Sequence, residues 1–165
     1  MEFTILTFLI VLCLLGLSWF AGSGAPYIPT KYPKLKELFK LAGLKPDDDF
    51  YELGSGDGRV VLVAAQMGAE SFGIEESWLR VWWSRWKAYQ LKLSNAHFFH
   101  GSIFTRHYFS AEVVYIYMLP VTVDRLEPIL KEELKPGAKV ITQKYHFKNW
   151  KPTKTIDDFY IYTKT

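Results

Sequence analysis

The sequence predicts an α/β fold, a three-layer sandwich built on a mostly parallel sheet and preceded by one apolar helix. Three observations support this prediction. Short apolar segments alternate along the chain with longer segments of helical periodicity, as in parallel sheets covered on both faces. A glycine-rich turn, 54–58, joins the first predicted strand to the next helix. Residues 3–20 contain no charged side chain.

The predicted elements alternate in type after a Gly/Pro linker at 22–33. An amphipathic helix over 34–44 ends at a glycine shortly before Pro46, a usual arrangement at helix ends. The segment "AEVVYIYML" is apolar through its middle, which is typical of a buried parallel strand. Pro128 is expected to break or offset the last helix. The expected strands are 49–53, 71–75, 96–101, 111–119, 139–147 and 158–164, and the expected helices are 58–68, 77–95 and 122–134.

Residues 1–21 form a predicted transmembrane anchor, ahead of a main domain at 34–165. The eighteen uncharged residues would rise about 27 Å as a helix, close to the hydrocarbon thickness of a bilayer. Only Glu2 precedes them, whereas four lysines follow: Lys31, Lys34, Lys36 and Lys40. The positive-inside rule then predicts a single-pass membrane protein whose domain lies on the cytoplasmic, or equivalent matrix, side. A cleaved signal peptide is the alternative, because small residues follow at 21–25.

Composition excludes several classes of function. Twenty Lys and Arg against seventeen Asp and Glu give a formal charge of +3, and no basic run is dense enough to predict a nucleic-acid partner. The single cysteine, Cys13, excludes an internal disulfide and any site with several thiolates. The four histidines are scattered, so no metal is expected.

The helix over 77–95 contains four of the six tryptophans. Trp78, Trp82 and Trp86 recur every fourth residue and form one stripe, which we expect to pack on the sheet. A surface role remains open, because a Trp/Arg face could also rest on lipid headgroups or on a membrane-protein substrate.

The turn "ELGSGDG" predicts a nucleoside-cofactor site. The first strand-to-helix turn of such a sheet lies at the carboxyl edge of the strands, where ligands bind. Its glycines let the backbone approach a ligand closely, and Glu75, at the end of the next strand, can accept both hydroxyls of a ribose. A dinucleotide fingerprint would have glycine in place of Arg59, and Glu52 and Asp57 would repel a diphosphate. These acids favour a cationic ligand. A nicotinamide or flavin enzyme and a non-binding domain remain alternatives.

The pattern E-x-G-x-G-x-G resembles that of the class I S-adenosylmethionine-dependent methyltransferases, whose fold is Rossmann-like. Four further blocks, "APYIPTKYP", "LKPDDDFYELGSGDGRVV", "FGIEES" and "LKEELKPGAKVITQKYHFKNWKP", resemble one group of them. That group contains small protein-lysine methyltransferases, including archaeal broad-specificity enzymes and the mitochondrial enzyme that methylates the ATP synthase c-subunit. The resemblance extends from about Pro26 to the C-terminus.

The resemblance implies S-adenosylmethionine as cofactor and assigns residues to it. Tyr27, Pro29 and Thr30 would fold over it as a lid, and Glu75 would bind its ribose. The methionine part would lie against the turn: Glu52, Gly54, Ser55, Gly56 and Gly58. Ser102 and Ile103 would lie against the adenine, although Ser102 stands where many such enzymes have Asp or Asn. Apart from the resemblance, we expect Tyr117, Leu119 and Pro120 to line an apolar channel for the methyl acceptor, with Gln143 or Tyr145 orienting the amine. Packing in the core or on a strand face is the alternative for the tyrosines.

The predicted function is therefore methyl transfer to a lysine side chain of a membrane-associated protein, by an enzyme anchored in the same membrane. A lipid or quinone methyltransferase is the alternative, although we expect a small acceptor to need an enclosing insertion that the sequence lacks. A non-catalytic protein with this fold is a third possibility, against which the intact glycine turn and Glu75 argue.

Overall fold

A computed structural model describes the backbone of residues 2–20 and 32–165, with side chains at 4–16 and 35–165. Within these ranges the chain forms five helices and seven strands. In chain order they are α1 (Glu2–Phe20), α2 (Tyr32–Ala42), β1 (Asp49–Leu53), α3 (Arg59–Gln66), β2 (Glu70–Glu75), α4 (Trp78–Gln90), β3 (Ala96–His100), β4 (Val113–Ile116), α5 (Pro120–Glu133), β5 (Lys139–Gln143), β6 (Lys154–Ile156) and β7 (Phe159–Thr163).

The seven strands form one sheet in the order β3-β2-β1-β4-β5-β7-β6. The first five strands in that order pair in parallel, whereas β7 pairs antiparallel with both β5 and β6. The strand order reverses between β1 and β4, because β2 and β3 extend the sheet to one side of β1, whereas β4 and the later strands extend it to the other. Ligands of open α/β sheets bind in the crevice at such a reversal, and the glycine turn follows β1 there.

Helices cover both faces of the sheet, which confirms the three-layer prediction. On one face, α2 and α3 bury Leu35, Phe39 and Val60 against Phe50 and Tyr115, and α4 continues this layer toward β3. On the other face, α5 packs its buried leucines against β4 and β5. Burial of this apolar area is the main term that stabilises the domain.

Most predicted elements are present, but several have different bounds. α4 ends at Gln90 and β5 at Gln143, five and four residues earlier than predicted. β4 ends at Ile116, and Tyr117, Met118 and Leu119 form an irregular connection to α5, so the strand is shorter than predicted. β6 was not predicted, because its three residues are mostly exposed and show no apolar alternation. α5 continues through Pro128. The proline is exposed, and it leaves the packing of Leu126 and Leu130 intact.

The prediction that the tryptophan stripe of α4 packs on the sheet is wrong. Trp78, Trp82 and Trp86 are 58%, 57% and 44% exposed. The buried stripe of α4 is instead Arg80, Val81, Ser84 and Ala88. Its small members let the helix approach Gly58 and Phe98 closely, which a row of indole rings would prevent.

The helix α1 carries the apolar segment, and its described large apolar side chains, between Ile5 and Leu15, are exposed. No helix in the described ranges combines the length and the hydropathy that crossing a bilayer requires. The predicted transmembrane anchor at 1–21 is therefore not supported.

Candidate active site

A cavity of about 340 Å³ opens at the carboxyl edge of the sheet, beside the glycine turn. Its volume falls within the range of small-molecule pockets, roughly 300–1,000 Å³. Two larger hollows, of about 590 Å³ between α4 and β3 and about 440 Å³ at the opposite edge, do not include the turn. The cavity beside the turn is lined by Gly54, Ile74, Glu75, Glu76, Ile103, Phe104, Met118, Leu119, Val121 and Thr122.

Two glycines of the turn have different structural roles. Gly54 (φ +79°) forms part of the cavity wall, and a Cβ there would lie 2.7 Å from Met118 Cε. Gly58 (φ +77°) lies away from the cavity, and its Cβ would lie 2.6 Å from Ser84 Oγ and 2.7 Å from Phe98. Gly54 therefore keeps the cavity wall free of a side chain, whereas Gly58 lets the start of α3 pack against α4.

The carboxylate of Glu75 lies at the centre of the site and is only 3% exposed. Its Oε2 accepts a hydrogen bond of 2.8 Å from the main-chain N–H of Gly56, and its Oε1 accepts one of 2.9 Å from the N–H of Ser77. Arg80 Nη1 lies 3.6 Å from Oε1 and balances the charge. An ionised carboxylate offers about four acceptor positions, so Glu75 can also accept hydrogen bonds from a ligand hydroxyl in the cavity.

The two other acids of the turn are held within the protein. Glu52 lies beneath the turn, where its Oε2 accepts a hydrogen bond of 3.3 Å from the N–H of Val61. Burial raises the pKa of Glu52 well above its ordinary value, and the charges of Asp57 and Glu75 raise it further.

Asp57 forms ion pairs with Arg59 at 2.9 Å and Lys87 at 3.1 Å. Burial alone would raise the pKa of Asp57, but the hydrogen bond from Arg59 and the charge of Lys87 outweigh it and lower the pKa to about 2. The negative charge of Asp57 is therefore balanced inside the turn and does not face the cavity.

A family model, the ANTKMT methyltransferase domain, matches residues 52–154. The chain belongs to the ANTKMT methyltransferase family. It is accordingly an S-adenosylmethionine-dependent methyltransferase, which confirms the resemblance and the cofactor predicted from the sequence.

The names of several relatives of this methyltransferase describe them as enzymes that methylate lysine side chains of proteins. It is 28% identical over 134 residues to a protein-lysine N-methyltransferase of Saccharolobus islandicus, covering 79% of this chain and 83% of that protein. It is 33% identical to the Xenopus laevis lysine N-methyltransferase of the ATP synthase c-subunit, covering 77% of this chain but only 56% of that protein. This chain thus spans little more than half of the vertebrate enzyme.

A solved structure that resembles this methyltransferase carries a product of the cofactor. It is described as an RNA methyltransferase from Salinibacter ruber in complex with S-adenosyl-L-homocysteine. The two chains are 34% identical with a TM-score of 0.78, and the match covers 82% of this chain and 93% of the other.

The site of the methyltransferase fits its cofactor. The wall at Gly54 carries no side chain, Glu75 offers a carboxylate to ribose hydroxyls, and the remaining wall is mostly apolar. The hydroxyl of Ser55 is buried without a hydrogen-bond partner in the described residues. An orphaned polar group of this kind is uncommon in native proteins.

The predicted site residues are only partly brought together. Gly54, Glu75, Ile103 and Leu119 line the cavity. Glu52, Ser55, Gly56 and Gly58 belong to the turn behind it and are not among the described lining residues, nor is Ser102. Tyr117 packs on the core, and Pro120 begins α5. The predicted lid, Tyr27, Pro29 and Thr30, lies outside the described residues.

Six of the ten lining residues were not predicted from the sequence: Ile74, Glu76, Phe104, Met118, Val121 and Thr122. Met118 contacts Gly54, and Phe104 and Thr122 complete the wall. The segment "YMLP" after β4 did signal this wall, but the alternation of a strand cannot say which residue turns inward once the strand has ended. Phe104 lies in an irregular connection, and Arg125 lies 3.9 Å above its ring.

Proposed function

We propose that this methyltransferase transfers a methyl group from S-adenosylmethionine to the side-chain nitrogen of a lysine in a protein. The observation that carries the proposal is the cavity that joins the bare backbone of Gly54 to the carboxylate of Glu75 at the carboxyl edge of the sheet. The names of the Saccharolobus islandicus and Xenopus laevis relatives support lysine as the acceptor.

Methyl transfer depends more on the alignment of the acceptor with the methyl group than on a dedicated general base. The bound cofactor supplies a methyl group on a sulfonium, and the protein aligns the acceptor with it. A lysine must arrive neutral, which costs about 4–5 kcal/mol at neutral pH given its ordinary pKa of about 10.4. The apolar wall of Ile103, Phe104, Met118 and Leu119 favours the neutral amine, because desolvation penalises the ammonium.

The competing acceptor is RNA. The description of the Salinibacter ruber structure as an RNA methyltransferase favours it, whereas the mild charge of +3 and the lack of a dense basic run argue for a protein. A lipid or quinone acceptor is the remaining alternative.

One labelling experiment separates these acceptors. The full chain is incubated with cofactor carrying a labelled methyl group and with a native cell extract, which is then divided into protein, RNA and organic fractions. Label in protein that mass spectrometry places on lysine supports the proposal. Label in RNA or in the organic fraction would instead establish one of the alternatives.

The cellular location of the enzyme remains a prediction. Lys36 and Lys40 follow the apolar helix α1, and this charge asymmetry predicts the cytoplasmic or matrix side. A membrane-associated substrate is suggested by the name of the Xenopus laevis relative, which acts on a subunit of ATP synthase. Fractionation of cells that express the full chain, with a carbonate wash of the membranes, tests whether the enzyme itself is held in a membrane. Recovery of the chain in the washed membrane pellet would agree with a membrane location, and recovery only in the supernatant would contradict it.

A further inference from the structure

Two side-chain hydrogen bonds connect the core to the surface at the carboxyl edge of the sheet. Tyr115 Oη donates to Gln143 Oε1 over 2.7 Å, and Gln143 Nε2 donates to Asp158 Oδ2 over 3.0 Å. Tyr115 is fully buried, Gln143 is half-buried and Asp158 is exposed. An ionised carboxylate only accepts, so the amide nitrogen of Gln143 must face Asp158 and its oxygen must face Tyr115.

The position of Asp158 is fixed by a second contact. Its main-chain oxygen accepts a hydrogen bond of 2.6 Å from the N–H of Lys144, next to Gln143 in the chain. Asp158 also lies in the two-residue connection between β6 and β7, a tight turn with little freedom. In the described part of the chain, none of the ion pairs involves Asp158. Its negative charge is thus held in place and presented to solvent.

This carboxylate lies at the carboxyl edge of the sheet, where the cavity also opens. β4 and β5 are parallel neighbours, with Ile116 opposite Thr142, so Tyr117 and Gln143 leave the sheet side by side. The residues after Tyr117, Met118 and Leu119, line the cavity itself. β7 begins beside Gln143 on the far side, with Gln143 opposite Phe159. Asp158 therefore stands at the same edge as the cavity, two strands away from β4.

We propose that Asp158, oriented by Gln143 and Tyr115, binds the cationic side chains of a lysine-bearing substrate and so selects basic acceptors. This inference rests on the proposed function and names the recognition element for it. A lysine approaches as an ammonium, and a carboxylate at the edge of the sheet that holds the cavity favours that form. The apolar wall of the cavity instead favours the neutral amine. The carboxylate and the wall would therefore act on the lysine side chain one after the other as it approaches the cofactor.

The test uses the full chain, labelled cofactor and a synthetic peptide pool with one fixed central lysine. Asp158→Asn removes the charge but keeps an oxygen that can accept the hydrogen bond from Gln143. We expect the KM for the best peptide to rise about twofold to fivefold, as is typical for an exposed ion pair. We expect kcat to change less than about twofold and the affinity for S-adenosylhomocysteine to stay the same. The difference from wild type should disappear at about 0.5 M salt, because screening removes exposed charge interactions.

The matched control is Asp47→Asn, another exposed aspartate at the opposite edge of the sheet, at a left-handed position that asparagine tolerates. Gln143→Met keeps the size of the side chain and removes the bond to Asp158, so it should raise KM in the same direction. Equal KM values for wild type, Asp158→Asn and Asp47→Asn would overturn the inference and leave the proposed function standing. A loss of S-adenosylhomocysteine affinity in Asp158→Asn would overturn it too, because the role would then be structural. A wild-type chain that binds S-adenosylhomocysteine but methylates no lysine peptide would contradict the proposed function itself.

Discussion

The main-chain N–H of Gly56 donates a hydrogen bond of 2.8 Å to the carboxylate of Glu75. This bond joins the glycine turn after β1 to the end of β2, nineteen positions later in the chain. The conformation of the turn and the residue predicted to bind the ribose are therefore coupled. A change at either one should alter cofactor binding through the other.

A double-mutant cycle measures whether Gly54 and Met118 interact. Gly54→Ala should lower the affinity for S-adenosylhomocysteine at least tenfold, because a Cβ there would lie 2.7 Å from Met118 Cε and would alter the cavity wall. Met118→Ala should restore part of that loss when combined with it. Full additivity of the two changes, measured by calorimetry, would show that they do not interact.

Gly58→Ala should affect the stability of the domain far more than its affinity for the cofactor. Its Cβ would meet buried atoms of Ser84 and Phe98, at a φ of +77°. We expect a loss of about 2–4 kcal/mol in the free energy of unfolding, as for overpacking combined with backbone strain. Urea denaturation measures it, and Gly43→Ala is the control, because that glycine also has positive φ (+84°) but has open space around its Cα. Equal losses in the two variants would contradict the assigned packing role.

The stability of the domain should depend on the ionisation of Glu52. Burial raises the pKa of this carboxyl, so its contribution to stability is complete below the unfolded pKa of about 4.3 and is lost as the pH rises toward the folded value. Glu52→Gln should therefore raise the denaturation midpoint at pH 7 and flatten its dependence on pH above the unfolded pKa. Glu132→Gln, at an exposed position on α5, should change neither. A Glu52→Gln variant that is less stable than wild type at pH 7 would contradict this account.

Truncation of two adjacent residues of α4 should change the free energy of unfolding by different amounts. Trp82 is 57% exposed and Val81 is 3% exposed. Trp82→Ser should change the free energy of unfolding by less than about 0.5–1 kcal/mol, whereas Val81→Ala should cost about 2 kcal/mol for the two buried carbons removed. Thermal denaturation of both variants measures the contrast. A larger loss for Trp82→Ser would restore the core role that the sequence predicts.

The sequence predicted the glycine turn and Glu75 because both depend on local chemistry. A glycine that needs a positive φ and an acid at a strand end can be recognised from adjacent residues alone. The orientation of α4 could not be predicted in the same way. Its tryptophans and the stripe of Val81, Ser84 and Ala88 have the same helical spacing, and only the close approach to Gly58 decides which one is buried.

The contacts near β4, β5 and β7 could not be predicted from the sequence for another reason. Tyr115, Gln143 and Asp158 belong to three separate segments, which only the pairing of β5 with β4 and β7 brings together. Met118 lies against Gly54 in the cavity wall, although 64 positions separate them in the sequence. No local pattern contains contacts of this kind.

The central claim is that S-adenosylmethionine binds over Gly54 with its ribose on Glu75. The most direct test is calorimetric titration of S-adenosylhomocysteine into wild type and into Glu75→Gln, with Glu132→Gln as the control. The amide can accept at only one of its two terminal atoms, so it must lose the bond to Gly56 or the bond to Ser77, and it offers fewer acceptor positions to the ribose hydroxyls. We predict binding of one ligand per chain to wild type and an affinity about 100-fold lower in Glu75→Gln, equivalent to roughly 3 kcal/mol. Equal affinity in the two proteins, or no binding to wild type, would contradict the claim.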